Sequence, residues 1–255
     1  MRDGTASVTA QLVAARRLGF DRVAAPYGDP AADERLSRDV AGDAVPGAPS
    51  PMGRYLAART TFFDRFVVGA VDRGVAQFVV AAAGYDGRSL RYAQPGTRWI
   101  ELDHPDTQRD KRDRLRHLGI ATPHVAFATA DFGVDDVAAA LSGAGCDPTT
   151  TTAVLCEGIV VYLDQATLLA LLDGLRRAVP AGSTLGISLG IALTDGAAAE
   201  RRARFQQAVA ALGEPVRLQL TAEEADALLA STGWRPRPPT DERLAAIGCV
   251  VADAT

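Results

Sequence analysis

The sequence predicts an α/β fold: a mostly parallel sheet with helices on both faces and a helical arm at the N-terminus. Three observations carry this. Five short apolar runs, from "AQFVVAAA" (76–83) to "STLGISLG" (183–190), alternate with helix-patterned segments. That order places strands parallel and covers both faces of the sheet. Four residues, Gly84, Asp103, Asp131 and Glu157, each end one of these runs. Ligands of such sheets lie outside the carboxyl ends of the strands, so these four are predicted to share one edge. Finally, 255 residues, 47% of them hydrophobic, suffice for one large α/β domain or two small ones, with a real core.

Val8, Leu12 and Val13 form an apolar stripe on a first helix that ends near Arg16 and Arg17. The segment "GDAVPGAPSPMGRY" (42–55) is rich in Gly, Pro and Ala and reads as a loop. It separates an arm, residues 1–53, from a main domain, residues 54–255. The arm is too short for a core of its own and is expected to dock on the main domain as a lid. From Ala57, the spacing of Phe63, Phe66, Val67, Ala70 and Val71 is helical, with Gly74 as its stop. Then come strand 76–83, strand "TRWIELD" (97–103), the charged helix "HPDTQRDKRDRLRHLG" (104–119) and strand "HVAFATAD" (124–131). A short helix (135–145), strand "TAVLCEG" (152–158), a leucine-rich helix (165–179) and strand 183–190 follow. Leu168, Leu171, Leu172 and Leu175 are predicted core. Residues 191–217 read as an insertion with a long helix, Ala197 to Leu212. The segment "TAEEADALLASTGW" (221–234) opens on a capping box, Thr221 to Glu224, and "RLAAIGCVVAD" (243–253) reads as the last strand.

The net charge is −4 and the pI about 5.4, which argues against a nucleic-acid partner. Cys146, Cys156 and Cys249 lack metal-like spacing, so a reduced, cytoplasmic protein is expected. Neither a signal-peptide core nor a run approaching the roughly 18 apolar residues of a membrane span is present. Lys111 is the only lysine in the chain; arginine fills every other basic position.

The loop after the first strand, "AAAGYDGR" (81–88), selects among ligands. A phosphate-binding G-x-x-x-x-G-K-[ST] is absent. The string Ala82-x-Gly84-x-x-Gly87 nearly spells a dinucleotide fingerprint, but Ala82 replaces its first glycine and Pro95 cuts the following helix short. Asp86 would also place a carboxylate beside a pyrophosphate, unfavourable unless Arg88 pairs with it. S-adenosyl-L-methionine (SAM) has no phosphate and carries a sulfonium cation, so acids in the loop are tolerated. Asp103 suits the ribose hydroxyls of either ligand. Asp86, Asp103, Asp131 and Glu157 together make an acidic rim that favours the cationic one.

These motifs in this order resemble the leucine carboxyl methyltransferase family of class I SAM-dependent enzymes, including bacterial members of natural-product type. They read "RTTFFD" (59–64), "AAAGYDGR" (81–88), "ELDHP" (101–105), "TADF" (129–132) and "EGIVVYL" (157–163). The likeness runs from Arg54 to Trp234. It implies a Rossmann-like class I methyltransferase fold and a SAM-dependent O-methyltransferase acting on a carboxyl or hydroxyl group of a small molecule. It implies that Arg59 pairs with the cofactor carboxylate and that Gly84 lets the backbone approach. Ala82 and Asp86 belong to the same cofactor loop, Asp103 would bind the ribose, and Asp131 and Phe132 the adenine. Glu157 would face the amino group, the sulfonium and the substrate, with Tyr162 beside it as a second catalytic candidate; no metal is implied. Two departures stand out: Ala82 and Gly87 replace a family glycine and a common threonine. The arm also lacks the cofactor-binding lysine that some family members have; either Arg16, Arg17 or Arg54 substitutes for it, or the contact is missing. Plainer readings remain open: Asp131 as a helix cap, Tyr162 as a packing residue, and His104 and His124 as surface-loop histidines. A fold that binds SAM without methylating and an NAD-dependent reductase are the alternative functions.

Overall fold

The computed structural model describes residues 7–42, 50–191 and 216–255. Seven strands form one sheet in the order β3-β2-β1-β4-β5-β7-β6. Strands β1 (Gln77–Ala81), β2 (Arg98–Asp103), β3 (Val125–Thr129), β4 (Thr152–Cys156) and β5 (Thr184–Ser188) run parallel. Strand β7 (Cys249–Ala254) is antiparallel to β5, and β6 (Trp234–Pro236) is antiparallel to β7. The predicted α/β architecture with a mostly parallel sheet is therefore what the chain adopts. Its central strands read as continuous apolar runs because both faces are covered: every residue of β1, β4 and β5 is buried.

One face packs on α3 (Pro51–Asp72), where Phe63, Phe66 and Val67 meet Phe78, Val80, Trp99 and Leu155. The other face packs on α6 (Val137–Gly143), α7 (Gln165–Arg177) and α8 (Ala222–Ser231), with Leu168, Leu171, Leu172 and Leu175 all fully buried. The predicted capping box of α8 is present, with Thr221 and Glu224 each bonding the other's backbone N–H.

Three boundaries differ from the sequence reading. The loop from Gly42 ends at Ser50, because Pro51 opens α3 and the Ser50 hydroxyl accepts from the Gly53 N–H at 3.0 Å. Proline fits that first turn because its missing N–H would have no partner there. The arm contains α1 (Val8–Arg17) and also α2 (Pro30–Ala41), capped by the Asp29 side chain. The run 243–253 divides into α9 (Glu242–Ala246) and β7. Gly248 separates them with φ +82°, where an added Cβ would lie 2.2 Å from the Leu189 carbonyl oxygen. The predicted helix Ala197 to Leu212 lies outside the described residues, as does most of the 191–217 insertion.

Helices α1 and α2 pack over the loop after β1. Ala14, Ala32, Leu36 and Val40 form a cluster with Tyr85, Leu90, Leu115 and Ile120. Asp39 pairs with Arg114 at 2.7 Å on α5 (Pro105–His117). No helix of the described residues is long and apolar enough to cross a membrane. The three cysteines are free and buried, and burial pushes the Cys156 thiol up to about 12, as for an inert core residue.

Candidate active site

Strand β1 lies between β2 and β4, where the order of the sheet reverses, and the carboxyl ends of these strands open into a cavity of about 350 Å³. That volume is in the range of small-molecule sites. Arg59, Ala82, Gly84, Asp103, Asp131, Phe132, Glu157 and Tyr162 all line it. The fold thus gathers residues that are up to about a hundred positions apart in sequence. Helix α1 closes the top with Thr9, Ala10, Val13 and Arg17.

The turn after β1 is strained. Ala82 has φ +54°, the only non-glycine residue in the left-handed region among the described residues. Gly84 follows with φ +49°, and a Cβ there would come within 3.0 Å of the Ala10 Cβ. The Gly84 N–H donates to Asp103 Oδ2 at 2.5 Å, and the His104 N–H donates to Oδ1 at 2.6 Å. Each carboxylate oxygen keeps a lone pair for a ligand. Burial nevertheless pushes the Asp103 carboxyl up to about 6, against the pull of those two N–H bonds and of Lys111. An L-residue in the left-handed region costs about 1–2 kcal/mol, partly offset in glycine by its looser unfolded chain. Ala82→Gly is therefore expected to stabilise the protein by roughly 1 kcal/mol, raising Tm by about 2–4 °C. Thermal denaturation checks this, and a lower Tm would show that the methyl's packing outweighs the strain.

Glu157 is the hub of a buried charge network. Its Oε1 accepts from Arg59 Nε at 2.9 Å; its Oε2 accepts from Arg17 at 3.0 Å and Arg88 at 2.6 Å. Burial alone would raise its carboxyl, but Arg88, Arg17 and Arg59 hold it well below the usual range. Arg88 is fully buried and also reaches Asp64 at 2.8 Å and Asp86 at 2.5 Å. Arg22 bridges Asp64 and Asp33, and Arg91 completes the chain on Asp33.

Asp86 is the site candidate that does not reach the cavity. Arg88, two residues on, draws its side chain under the loop and bonds both of its oxygens. Of the predicted acidic rim, Asp103, Asp131 and Glu157 reach the cavity, and Asp164, which the sequence reading did not include, lines it as well. Gly87 is required beside it, because a Cβ there would lie 1.9 Å from Asp33 Oδ1. The sequence reading passed over Thr9, Ala10, Val13, Ile159, Leu163, Thr167 and Arg217, which also line the cavity. It placed His104 in a surface loop, whereas His104 lines the cavity and caps α5. Of the arginines offered in place of an arm lysine, Arg17 is the one in the wall. Its Nε and the Thr9 hydroxyl are buried there without a partner.

Comparison with known proteins fits this architecture. A Mycolicibacterium gilvum protein named as a candidate SAM-dependent methyltransferase is 38% identical over 151 residues, 58% of this chain and 49% of that protein. A Mycobacterium avium protein of the same description is 38% identical over 167 residues, 65% of this chain and 52% of its own length. The chain spans about half the length of these curated relatives. Among solved structures, a DUF574 family protein from Streptomyces avermitilis superposes with a TM-score of 0.64 at 19% identity, covering 99% of both chains. A Thermobifida fusca protein named as a candidate methyltransferase gives 0.62 at 18% identity, covering 100% of this chain and 97% of its own. At such identities these likenesses establish the fold. The family model described as leucine carboxyl methyltransferase matches residues 6–176, and the chain belongs to that family.

Proposed function

We propose that the chain binds SAM in this cavity and transfers a methyl group to an oxygen of a small-molecule acceptor. The observation that carries the reading is a charge imbalance. Five guanidiniums, Arg17, Arg22, Arg59, Arg88 and Arg91, face four carboxylates, Asp33, Asp64, Asp86 and Glu157, all with side chains at most 10% exposed. The next acid, Glu34, is 43% exposed and is shared between Arg91, at the far end of the network, and the surface Arg38. One buried positive charge is left over, and Arg17 and Arg59 present it to the cavity. A ligand carboxylate balances it.

A dinucleotide fits poorly. Its pyrophosphate needs a free helix N-terminus behind the glycine loop. Here α4 (Arg88–Arg91) has four residues, and its N-cap Gly87 is covered by the Asp33 carboxylate.

When bound, SAM supplies a methyl group on a sulfonium sulfur, an electrophile that needs no further activation. Arg17 and Arg59 hold the carboxylate end. Asp103 accepts from the ribose hydroxyls, and Phe132 and Asp131 meet the adenine. Helix α1, through Thr9, Ala10 and Val13, acts as the lid that excludes water. Such positioning supplies on the order of 7–11 kcal/mol. Glu157 orients the arginines and adds negative potential near the sulfonium. Held ionised by three arginines, it is a weak proton acceptor. That favours an acceptor already ionised at neutral pH, a carboxylate, over a phenol with its pKa near 10. Tyr162 lines the same wall and is assigned to the acceptor side.

Calorimetric titration with SAM, its demethylated product S-adenosylhomocysteine (SAH) and NADH tests the reading. SAM and SAH are expected to bind, and Asp103→Ala to weaken both by about 10- to 100-fold, the worth of charged hydrogen bonds. Binding of NADH alone would overturn it. Methyl transfer from labelled SAM to a panel of carboxylic acids and phenols then separates an enzyme from a non-methylating binder. The pH dependence has a defined sign. The folded chain holds the Asp103 proton more tightly than the unfolded chain, so this group's contribution to stability falls as pH rises from about 4 through about 6. A ligand that needs the ionised form gains affinity over the same rise. SAH binding is expected to be flat above pH 7 and to weaken below about 6.

A further inference from the structure

Lys111 is the one lysine in a chain with 27 basic Lys and Arg residues, and it is 1% exposed. It projects from α5 between two structures that build the cavity. Its Nζ donates to the Asp86 carbonyl at 2.6 Å, in the loop that carries Gly84, and to Glu101 Oε2 at 2.6 Å, two residues before Asp103. Glu101 Oε1 accepts from the Ser89 hydroxyl at 2.6 Å, and Gln108 Nε2 donates to the Glu101 carbonyl at 2.6 Å. The site is filled by a compact ammonium; a planar guanidinium with five donors needs more room and more acceptors. Composition points the same way, since arginine is used wherever a cation meets water or a forked carboxylate.

We propose that Lys111 is a positioning residue for the cofactor loop: it ties the Asp86 carbonyl to the Glu101 carboxylate and so keeps the Gly84 N–H on Asp103. It touches neither the cavity nor a ligand. Its positive charge also helps keep Asp103 ionisable. The proposal rests on the SAM reading above.

The test is the neutral pair Lys111→Met/Glu101→Gln, which removes both charges and leaves none unpaired. The double variant is expected to fold and to bind SAH about tenfold or more weakly, as the charged hydrogen bond to the loop and the ion pair that anchors it on β2 are lost. Wild-type affinity would overturn the proposal. So would weaker binding that only tracks a lowered Tm, with the wild-type Lys111 Nζ signal unmoved by SAH, since that assigns a structural role only. If the double variant does not fold, the wild type decides. Lysine ¹⁵N labelling gives a single Nζ signal, expected to shift on saturation with SAH; a signal that stays in place overturns the proposal. Failure of the wild type to bind SAH would instead overturn the SAM reading, and this proposal with it.

Discussion

Arg88→Met is expected to destabilise the protein by at least about 3–5 kcal/mol, the cost of breaking a buried ion pair from one side. In a chain of this size that lowers Tm by on the order of 10 °C. Methionine roughly keeps the length and apolar contacts of the side chain, including those over the Phe63 ring, so the loss is mainly charge. Asp64 keeps Arg22, and Glu157 keeps Arg17 and Arg59. Asp86 is the orphan, left with Arg17 at 3.6 Å. The wild-type carboxyls are held low, Asp64 at about 2, because Arg88 and Arg22 outweigh its burial. Their contribution is complete above the unfolded pKa near 4 and is lost as pH falls toward 2. In the variant, burial of Asp86 is no longer offset, so its folded pKa rises above the unfolded value. The penalty is then full at neutral pH and relieved as the carboxyl takes up a proton. The Tm gap between wild type and variant should narrow as pH falls from 8 to 5, and Arg88→Met/Asp86→Asn should recover part of it. A gap independent of pH would assign the cost to packing.

The sheet was legible because its central strands are short apolar runs punctuated by a charge or a glycine. Asp103 and Glu157 stand out for the same reason: a carboxylate closing a buried strand needs partners or a ligand. What could not be read is direction. The sequence shows Asp86 in a glycine loop and Arg88 two residues later, and offers their pairing as a condition. Only the fold brings Asp64 from α3 and Glu157 from β4 to the same guanidinium, which turns Asp86 away from the cavity. Arg16 and Arg17 are the same residue type one step apart on a helix, rotated by about 100°; Arg17 is 8% exposed and in the wall, while Arg16 is half-buried. Thr9, Ala10 and Val13 carry no chemical signal. They line the cavity because the arm docks through Asp33, Leu36 and Asp39. Strand β6 has three residues and no pattern to find. The sequence reading fuses α9 with β7 because Leu244, Ala245 and Ala246 continue the apolar run; the break falls at Gly248, and the Asp241 cap marks only where α9 begins.

Removing the carboxylate from the ligand is expected to cost more affinity than removing any other polar group it carries. SAM and decarboxylated SAM differ by that one charge, and both keep the sulfonium, amino group, ribose and adenine. If the surplus positive charge at Arg17 and Arg59 is what the ligand answers, decarboxylated SAM should bind about 30- to 1,000-fold more weakly, the usual cost of leaving a buried charge unpaired. Which arginine meets the carboxylate follows from what each already does. Arg88 is fully buried, with its donors committed to Asp64, Asp86, Glu157 and the Thr60 carbonyl. Arg59 uses its Nε on Glu157, and its other two nitrogens lie 3.2 Å from where a Cβ on Gly158 would stand. Arg17 has a buried Nε with no partner. Arg17→Gln should therefore weaken SAM strongly and decarboxylated SAM little, and the four affinities form a cycle whose coupling energy isolates the contact. Equal losses for both ligands would place Arg17's effect in the packing of α1. Equal binding of both ligands to the wild type would remove the carboxylate from the site and with it the charge argument for SAM.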